Sequence, residues 1–378
     1  MRAHGLLRGV RRALLVAAVV VVPLLPVLDA SAPALAAGCQ AETGLLFCDD
    51  VTPPDTVLLG VRPVPNSHGY INGRAVSFDF RGVAEDASDT GTITFQCQLF
   101  NTVSPPSDAS WQTCASGQSY TGLTDTTATP YTFRVRAVDA TDAAVSCPIC
   151  TDTPDYDQSP AATTIRVDTA APNTFMTRTP QDDIRPDWPV SLSRSTQVTL
   201  NSNEGGVGFV CRLNGEPRPC AEGVVTLEHL ASGPQKLSAQ AVDAAGNADP
   251  TPAVTRFFVP ADITAPRGSD WRRINQPGAF GGGLVRASRV GALLRIGGQR
   301  KVRELRLIAP AGPHLGRVEV RVGRSRWYPV DLSGKASSQK TYVVRNHFAP
   351  VQSGAILIRV VSLPAGGSVQ LDAFVARR

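Results

Sequence analysis

The sequence predicts an all-β chain arranged as consecutive β-sandwiches, and three observations lead there. Short runs rich in Val, Thr and Phe alternate apolar and polar residues between clusters of Gly, Pro, Asp and Ser, the pattern of half-buried strands joined by turns. No long amphipathic helical pattern occurs after the first thirty-odd residues. Part of the pattern also occurs twice: Phe95-Gln-Cys97-Gln-Leu99 returns as Phe209-Val-Cys211-Arg-Leu213, and Arg136-Ala-Val-Asp139 as Gln240-Ala-Val-Asp243. Duplication of one supersecondary unit explains both. Gly (33) and Pro (30) are abundant, but 42% of the 378 residues are hydrophobic, which marks a turn-rich folded chain. That length is more than one core usually serves.

Residues 1–36 read as an export signal. Arg2, Arg8, Arg11 and Arg12 precede an apolar run from Ala13 to Leu28, and Ala34-Leu35-Ala36 offers a small-residue cleavage site. Pro23, Pro26 and Asp29 interrupt the run and argue against a retained anchor. Arg11-Arg12 only partly matches a twin-arginine signal, and Leu35 lies one position too far from Cys39 for a lipoprotein signal. The expected location is secreted, extracellular or cell-wall associated.

All eight cysteines follow the cleavage point, so disulfides are expected. Proximity and repetition suggest Cys97 with Cys114, Cys211 with Cys220, and then Cys39 with Cys48 and Cys147 with Cys150. Cys147-Pro-Ile-Cys150 could be read as a redox pair, but no βαβ pattern surrounds it, and a loop staple is the preferred reading.

Taken in order, residues 37–51 form a Cys-bracketed lead. Pro-containing punctuation at Thr52-Pro-Pro, Ala171-Pro-Asn173 and Ile263-Thr-Ala-Pro266 then sets off modules at 52–170, 171–266 and 267–378. In the first, Ala75–Phe80, Thr92–Phe100, Tyr131–Val138 and Thr163–Asp168 are expected strands. In the second they are Gln197–Leu200, Gly208–Leu213, Gln235–Val242 and Thr255–Val259. Strands at this spacing argue for an immunoglobulin-like sandwich in each. The third offers seven or eight alternating segments, including Val290–Ile296, Glu304–Ile308, Arg317–Val322, Tyr328–Leu332, Lys340–Val344, Ile356–Val361 and Val369–Val375. Each module is expected to close its own core, which would leave no segment for a catalytic domain.

Two resemblances follow from these residues. Cys211-Arg-Leu-Asn-Gly-Glu-Pro-Arg-Pro-Cys220, Asp243-Ala-Ala-Gly-Asn247 and Asp249-Pro-Thr-Pro252 resemble the bacterial immunoglobulin-like repeats of actinobacterial exported proteins. The first module departs from that pattern by an insert between Cys97 and Cys114 and by the Cys147/Cys150 loop. Gly268 to Val375, with Gly312-Pro-His-Leu-Gly316, Val330-Asp-Leu332 and Leu371-Asp-Ala-Phe-Val375, resembles the jelly-roll modules related to carbohydrate-binding modules that end many such proteins. Gly323-Arg-Ser-Arg326 stands where relatives often carry Asp-Gly, which puts an inherited sugar site in doubt. The first resemblance implies spacer or adhesive modules with no catalytic set.

Charge is the most informative quantity. Residues 267–378 carry 20 Lys+Arg against 5 Asp+Glu, a net of +15, whereas 37–266 carry 13 against 26, a net of −13. Such asymmetry gives the halves different partners or makes them partners of each other. Arg321, Arg324, Arg326, Trp327 and Tyr328 form the candidate binding cluster: Arg forks suit carboxylates and phosphates, and aromatic faces suit sugar rings. The competing reading is a solvated edge strand with Trp327 in the core. The partners expected are anionic wall polymers, glycans or lipid head groups; no motif supports nucleic acid.

Sequence motifs for hydrolases, zinc proteases and phosphate loops do not occur, and no catalytic residue, metal ligand or cofactor is expected. His68, His229, His314 and His347 lie in separate segments and read as surface or turn residues. Asp139, Asp142, Asp243 and Asp249 could offer oxygens to Ca²⁺, but Asp also builds turns unaided, and that reading is preferred. Two alternatives stay open: the targeting or structural part of an unrecognised extracellular hydrolase, and a structural protein whose halves dock together.

Overall fold

The computed structural model describes residues 39–42, 45–48, 53–84, 92–126, 128–139, 155–180, 189–265 and 270–378. They form an all-β chain with only two single-turn 3₁₀ segments among them. Near the N-terminus, Cys39–Glu42 pairs with Leu45–Cys48, and the register sets Cys39 opposite Cys48. Cys147 and Cys150 lie outside the described residues.

The first sandwich sets Asp55–Arg62, Ala75–Val83 and Gln118–Thr121 against a second sheet. That sheet runs, in order, Tyr70–Ile71, Ala161–Val167, Tyr131–Asp139, Thr94–Phe100 and Gln112–Cys114. Alternation decides which side chains meet between the sheets: Val76, Phe78 and Phe80 from one, and Phe133, Val135 and Ile165 from the other. Phe78 and Phe133 stack with ring centres 3.8 Å apart.

The second sandwich repeats the plan. Thr174–Thr177, Thr196–Ser202 and Gly223–Leu227 form one sheet, and Glu216–Arg218, Gly208–Leu213, Gly233–Val242 and Ala253–Val259 the other. The sequence repeat is a register repeat. Phe95, Cys97 and Leu99 face Ala137, Val135 and Phe133, as Phe209, Cys211 and Leu213 face Ala241, Ala239 and Leu237. Disulfides join Cys97 to Cys114 and Cys211 to Cys220. The first links neighbouring strands of one sheet, and the second ties Gly208–Leu213 to the segment just past its neighbour Glu216–Arg218.

A second device is also duplicated. Asp157 Oδ1 accepts hydrogen bonds from the Ser159 amide and hydroxyl, and Oδ2 from the Thr56 amide at 3.0 Å, while Thr56 Oγ1 accepts from the Ala137 amide at 2.6 Å. Asp249, Thr251, Thr174 and Ala241 repeat every bond, with the Thr174 amide 2.6 Å from Asp249 Oδ2. The first strand of each sandwich is thereby tied to the opposite sheet through a buried carboxylate.

The last sandwich contains the sheets Ala261–Asp262/Ala373–Arg377/Glu304–Ala311/Ser337–Arg345, Arg272–Asn275/Gly283–Ala287/Val369–Leu371 and Leu293–Val302/Gln352–Ser362/Arg317–Val322/Tyr328–Asp331. The segment expected as one strand over 369–375 changes sheet at Asp372, a fully buried residue. The pairing of Ala261–Asp262 with Ala373–Phe374 gives this sandwich residues ahead of the Pro266 punctuation.

The expectation of a separate core for each module holds for the first sandwich but not between the second and the last. Glu304–Ala311 is buried along its whole length because both of its faces are covered. Leu305, Leu307 and Ala309 enter the core of the last sandwich, whereas Ile308 joins the core of the second. Phe280, Ala373 and Val375 accompany Ile308 in a cluster with Val190, Phe258 and Val259. Glu304 and Arg306, two residues apart on the same strand, form a buried ion pair at 2.5 Å, and Arg377 reaches the other Glu304 oxygen at 3.4 Å. The acidic and basic parts of the chain do meet, as the sequence allowed, and among the described residues the contact joins an apolar cluster to the Glu304–Arg306 ion pair. Burying the apolar side chains returns more than pairing solvated surface charges would.

Candidate functional site

The outer face of the sheet Leu293–Val302/Gln352–Ser362/Arg317–Val322/Tyr328–Asp331 carries the candidate site. Alternation sends Val318, Val320, Val322, Ile356, Ile358, Val360 and Leu294 inward. Arg317, Glu319, Arg321, Leu357, Arg359, Leu293 and Arg295 are therefore left on the outer side. Arg295 lies opposite Leu357, which lies opposite Arg321; Leu293 lies opposite Arg359, which lies opposite Glu319.

Each carboxylate on this face is matched to an arginine. Arg359 donates from Nε and Nη2 to Glu319 Oε2 at 2.8 and 2.5 Å, and Arg317 Nε donates to Asp331 Oδ2 at 2.8 Å. The Ser333 hydroxyl, working against partial burial and helped by the Ser333 amide and Arg317, holds the Asp331 carboxyl below its usual range. Arg321 differs. Its guanidinium carbon stands 4.6 Å from the Trp327 ring centre, its Nε is buried without a hydrogen-bond partner, and no described residue supplies an acceptor for its fork. Arg359 lies 4.4 Å from the same ring. Arg295 is exposed and has no ion-pair partner among the described residues.

The five residues singled out in the sequence thus divide into three places. Arg321 and Trp327 belong to the outer face. Trp327 is half-buried against two guanidiniums there and is not part of the core, so the core reading for it is wrong. Tyr328 packs against the core at the rim, edge-on to Phe348 with ring centres 5.6 Å apart. Arg326 and Arg345 lie 5.1 and 5.9 Å from its ring. Arg324 is exposed on the hairpin between them. The hairpin needs Gly323 (φ 54°), because a side chain there would strike the Ser353 carbonyl of the neighbouring strand. Sequence reasoning missed Arg295, Arg345 and Arg359, which come from strands distant in the chain. Their only sequence signal is an arginine at an outward position of an apolar strand.

Of the aspartates considered as Ca²⁺ ligands, Asp243 and Asp249 are committed to local structure. Asp243 Oδ1 accepts from the Ala245 and Asn247 amides, both at 2.8 Å, and Oδ2 accepts from the Asn247 side chain at 2.9 Å. Burial pushes the Asp249 carboxyl up, but hydrogen bonds from Thr174 and Thr251 outweigh it and hold the group below the usual range. Asp139 is buried, and Asp142 lies outside the described residues. No group of three or more metal-ligating side chains occurs among the described residues. Asn66 Nδ2 donates to the Ala244 carbonyl, and Asn247 Nδ2 to the Asp168 carbonyl, tying the first sandwich to the second. A cavity of about 530 Å³ lies at the seam of the second and last sandwiches, lined by Phe258, Val259, Gln299, Phe374 and Arg377 among others. None of the residues singled out from the sequence lines it.

No family model and no curated protein matches the sequence. Solved structures resemble it at low identity. The fibronectin(III)-like modules of Clostridium thermocellum CbhA match at 14% identity and TM-score 0.29, covering 54% of this chain and 93% of theirs. A Ca²⁺-stabilised adhesin by which an Antarctic bacterium binds ice matches at 14% identity and TM-score 0.31, covering 86% of this chain and 74% of its own. Carbohydrate-binding modules of the β-sandwich superfamily match at 12% identity and TM-score 0.20, covering 87% and 100%. At these TM-scores no argument about ligand or partner passes to this chain.

Proposed function

We propose that this chain is an exported, non-catalytic surface or adhesion-type protein. Two disulfide-stapled immunoglobulin-like sandwiches hold out a basic jelly-roll-like sandwich that binds an anionic or glycan surface. The observation that supports this reading is uncompensated charge. Residues 267–378 hold only 5 acidic residues against 20 basic ones. Asp270, Glu304, Glu319 and Asp331 are each already within salt-bridge distance of an arginine. The fifth, Asp372, is fully buried, and burial first of all pushes its carboxyl up, so it offers little negative charge outward. Arg273 pairs with Asp262, but most of the remaining cations have no ion-pair partner among the described residues, and a polyanion outside the cell would relieve their repulsion. The seam supports the same reading: among the described residues it joins the halves through Ile308, Phe280, Ala373 and Val375, away from the outer face that carries Arg321 and Arg295.

Retention of the whole mature chain on immobilised anionic and neutral polymers, in low and high salt, tests the proposal. Retention on the anionic polymers that falls steeply with salt supports it. Equal retention at both salts, or none, overturns it.

A further inference from the structure

Within the outer face of the last sandwich, one guanidinium is positioned and unused. Arg317, Glu319 and Arg321 project from alternate positions of one strand, and the two arginines of the face nearest a carboxylate are engaged with it. Arg321 sits at the end of that row, held against Trp327, with its Nε covered and no acceptor on its fork. Leaving the covered Nε without a partner costs stability, and the fork beside it is free to take an external acceptor. Two strands away, across Leu357, Arg295 also has no ion-pair partner among the described residues. Neighbouring strands lie about 4.8 Å apart, so the two guanidiniums are rooted roughly 10 Å from each other. That separation suits successive charges on a chain better than a single compact anion.

Leu293 (52% exposed), Leu357 and the Trp327 ring lie among these cations, giving flat apolar ground between the charges. We propose that this face binds a carboxylated polysaccharide, with Arg321 taking a sugar carboxylate in its fork, Arg295 a further carboxylate along the chain, and Trp327 fixing the Arg321 guanidinium. The assignment rests on the polyanion-binding reading above and narrows it. Carboxylate is the choice because the occupied guanidiniums of the same face, Arg359 and Arg317, take carboxylates, Glu319 and Asp331. A planar fork matches a planar carboxylate through two parallel bonds. An arginine already stacked on a ring loses less freedom when it forms them.

The test uses the whole mature chain on immobilised polygalacturonate, with poly(glycerol phosphate) and neutral dextran as comparison surfaces. The variants are Arg321→Lys, Arg321→Gln, Trp327→Leu and Lys335→Gln. Lys335 is exposed in the loop after Asp331, at the opposite end of the strand pair from the Arg321 hairpin. Each variant is first shown by circular dichroism to keep its strand content and thermal transition. Expected are at least tenfold weaker capture of polygalacturonate by Arg321→Lys, Arg321→Gln and Trp327→Leu, and less than a twofold change for Lys335→Gln. Arg321→Lys decides the matter, since it keeps the charge and loses only the fork. If wild-type protein binds but Arg321→Lys binds equally well, charge alone captures the polymer. The inference then falls and the broader reading stands. Stronger, Arg321-dependent capture of poly(glycerol phosphate) overturns the choice of carboxylate. Failure of wild-type protein to bind either polyanion overturns both.

Discussion

Replacing Ile308 with Ala tests whether the second and last sandwiches unfold as one body. Ile308 has no solvent exposure and belongs to the cluster that holds Val190, Phe258 and Val259 of the preceding sandwich, although its strand lies in the last one. Removing a buried Ile side chain costs about 2–5 kcal/mol, the cavity included. For a unit of about 190 residues each kcal/mol lowers the midpoint by about 2–4 °C. A mid-range loss of about 3 kcal/mol therefore predicts a fall of about 6–12 °C. Scanning calorimetry of the mature chain reads this directly, and a Cys211→Ser/Cys220→Ser variant marks the transition to which the second sandwich belongs. The seam predicts that Ile308→Ala and the cysteine variant move the same transition, while Phe133→Ala, in the first core, moves another. If Ile308→Ala shifts a transition that the cysteine variant leaves in place, the two sandwiches melt separately and the shared-core reasoning is refuted.

Further outcomes follow from single sites. Loop-closure entropy over the 17- and 9-residue separations gives about 3 and about 2.5 kcal/mol for Cys97–Cys114 and Cys211–Cys220. Denaturant titration of paired Cys→Ser variants should rank the losses in that order. Asp249→Asn should cost about 1–3 kcal/mol by weakening the bonds to Thr174 and Thr251. The Asp249 carboxyl is held below its usual range, so its stabilisation is present above the unfolded pKa and fades as pH falls through the folded one. The variant should accordingly show a flatter acid limb in its stability profile. Asp372 runs the other way, with burial first among the causes that raise it. The stability it contributes is complete at low pH and is lost as pH rises through its folded pKa. Asp372→Asn should be relatively more stable than wild type at pH 8 than at pH 4, as read by thermal melts at the two values.

Much of the fold was legible because period-two alternation and the duplicated Phe-x-Cys-x-Leu and Ala-Val-Asp runs report directly on which faces are buried. The Cys97–Cys114 and Cys211–Cys220 cross-links followed from the same repeat. The shared seam was not legible. Glu304–Ala311 contains Glu304 and Arg306 at the positions that face the second sandwich, and in a sequence they read as a solvated face. The ion pair they form with each other, reinforced by Arg377, helps make their burial tolerable. The aspartate tether had a sequence signal that went unread: Asp157-Gln-Ser-Pro160 and Asp249-Pro-Thr-Pro252 occupy the same place in the two repeats. At the candidate site, charge and the neighbouring Trp327 drew attention to Arg321. Arg359 and Arg295 could be joined to it only once strand order was known, because sheet neighbours here come from segments tens of residues apart.

The measurement closest to the central claim is the affinity of the whole mature chain for polygalacturonate between 50 and 200 mM salt. Capture by a few unpaired guanidiniums predicts a loss on the order of tenfold across that range, by analogy with counterion release from other polyanions. An affinity that does not change with salt, or one matched on neutral dextran, would mean that the excess of basic side chains is not what holds the polymer.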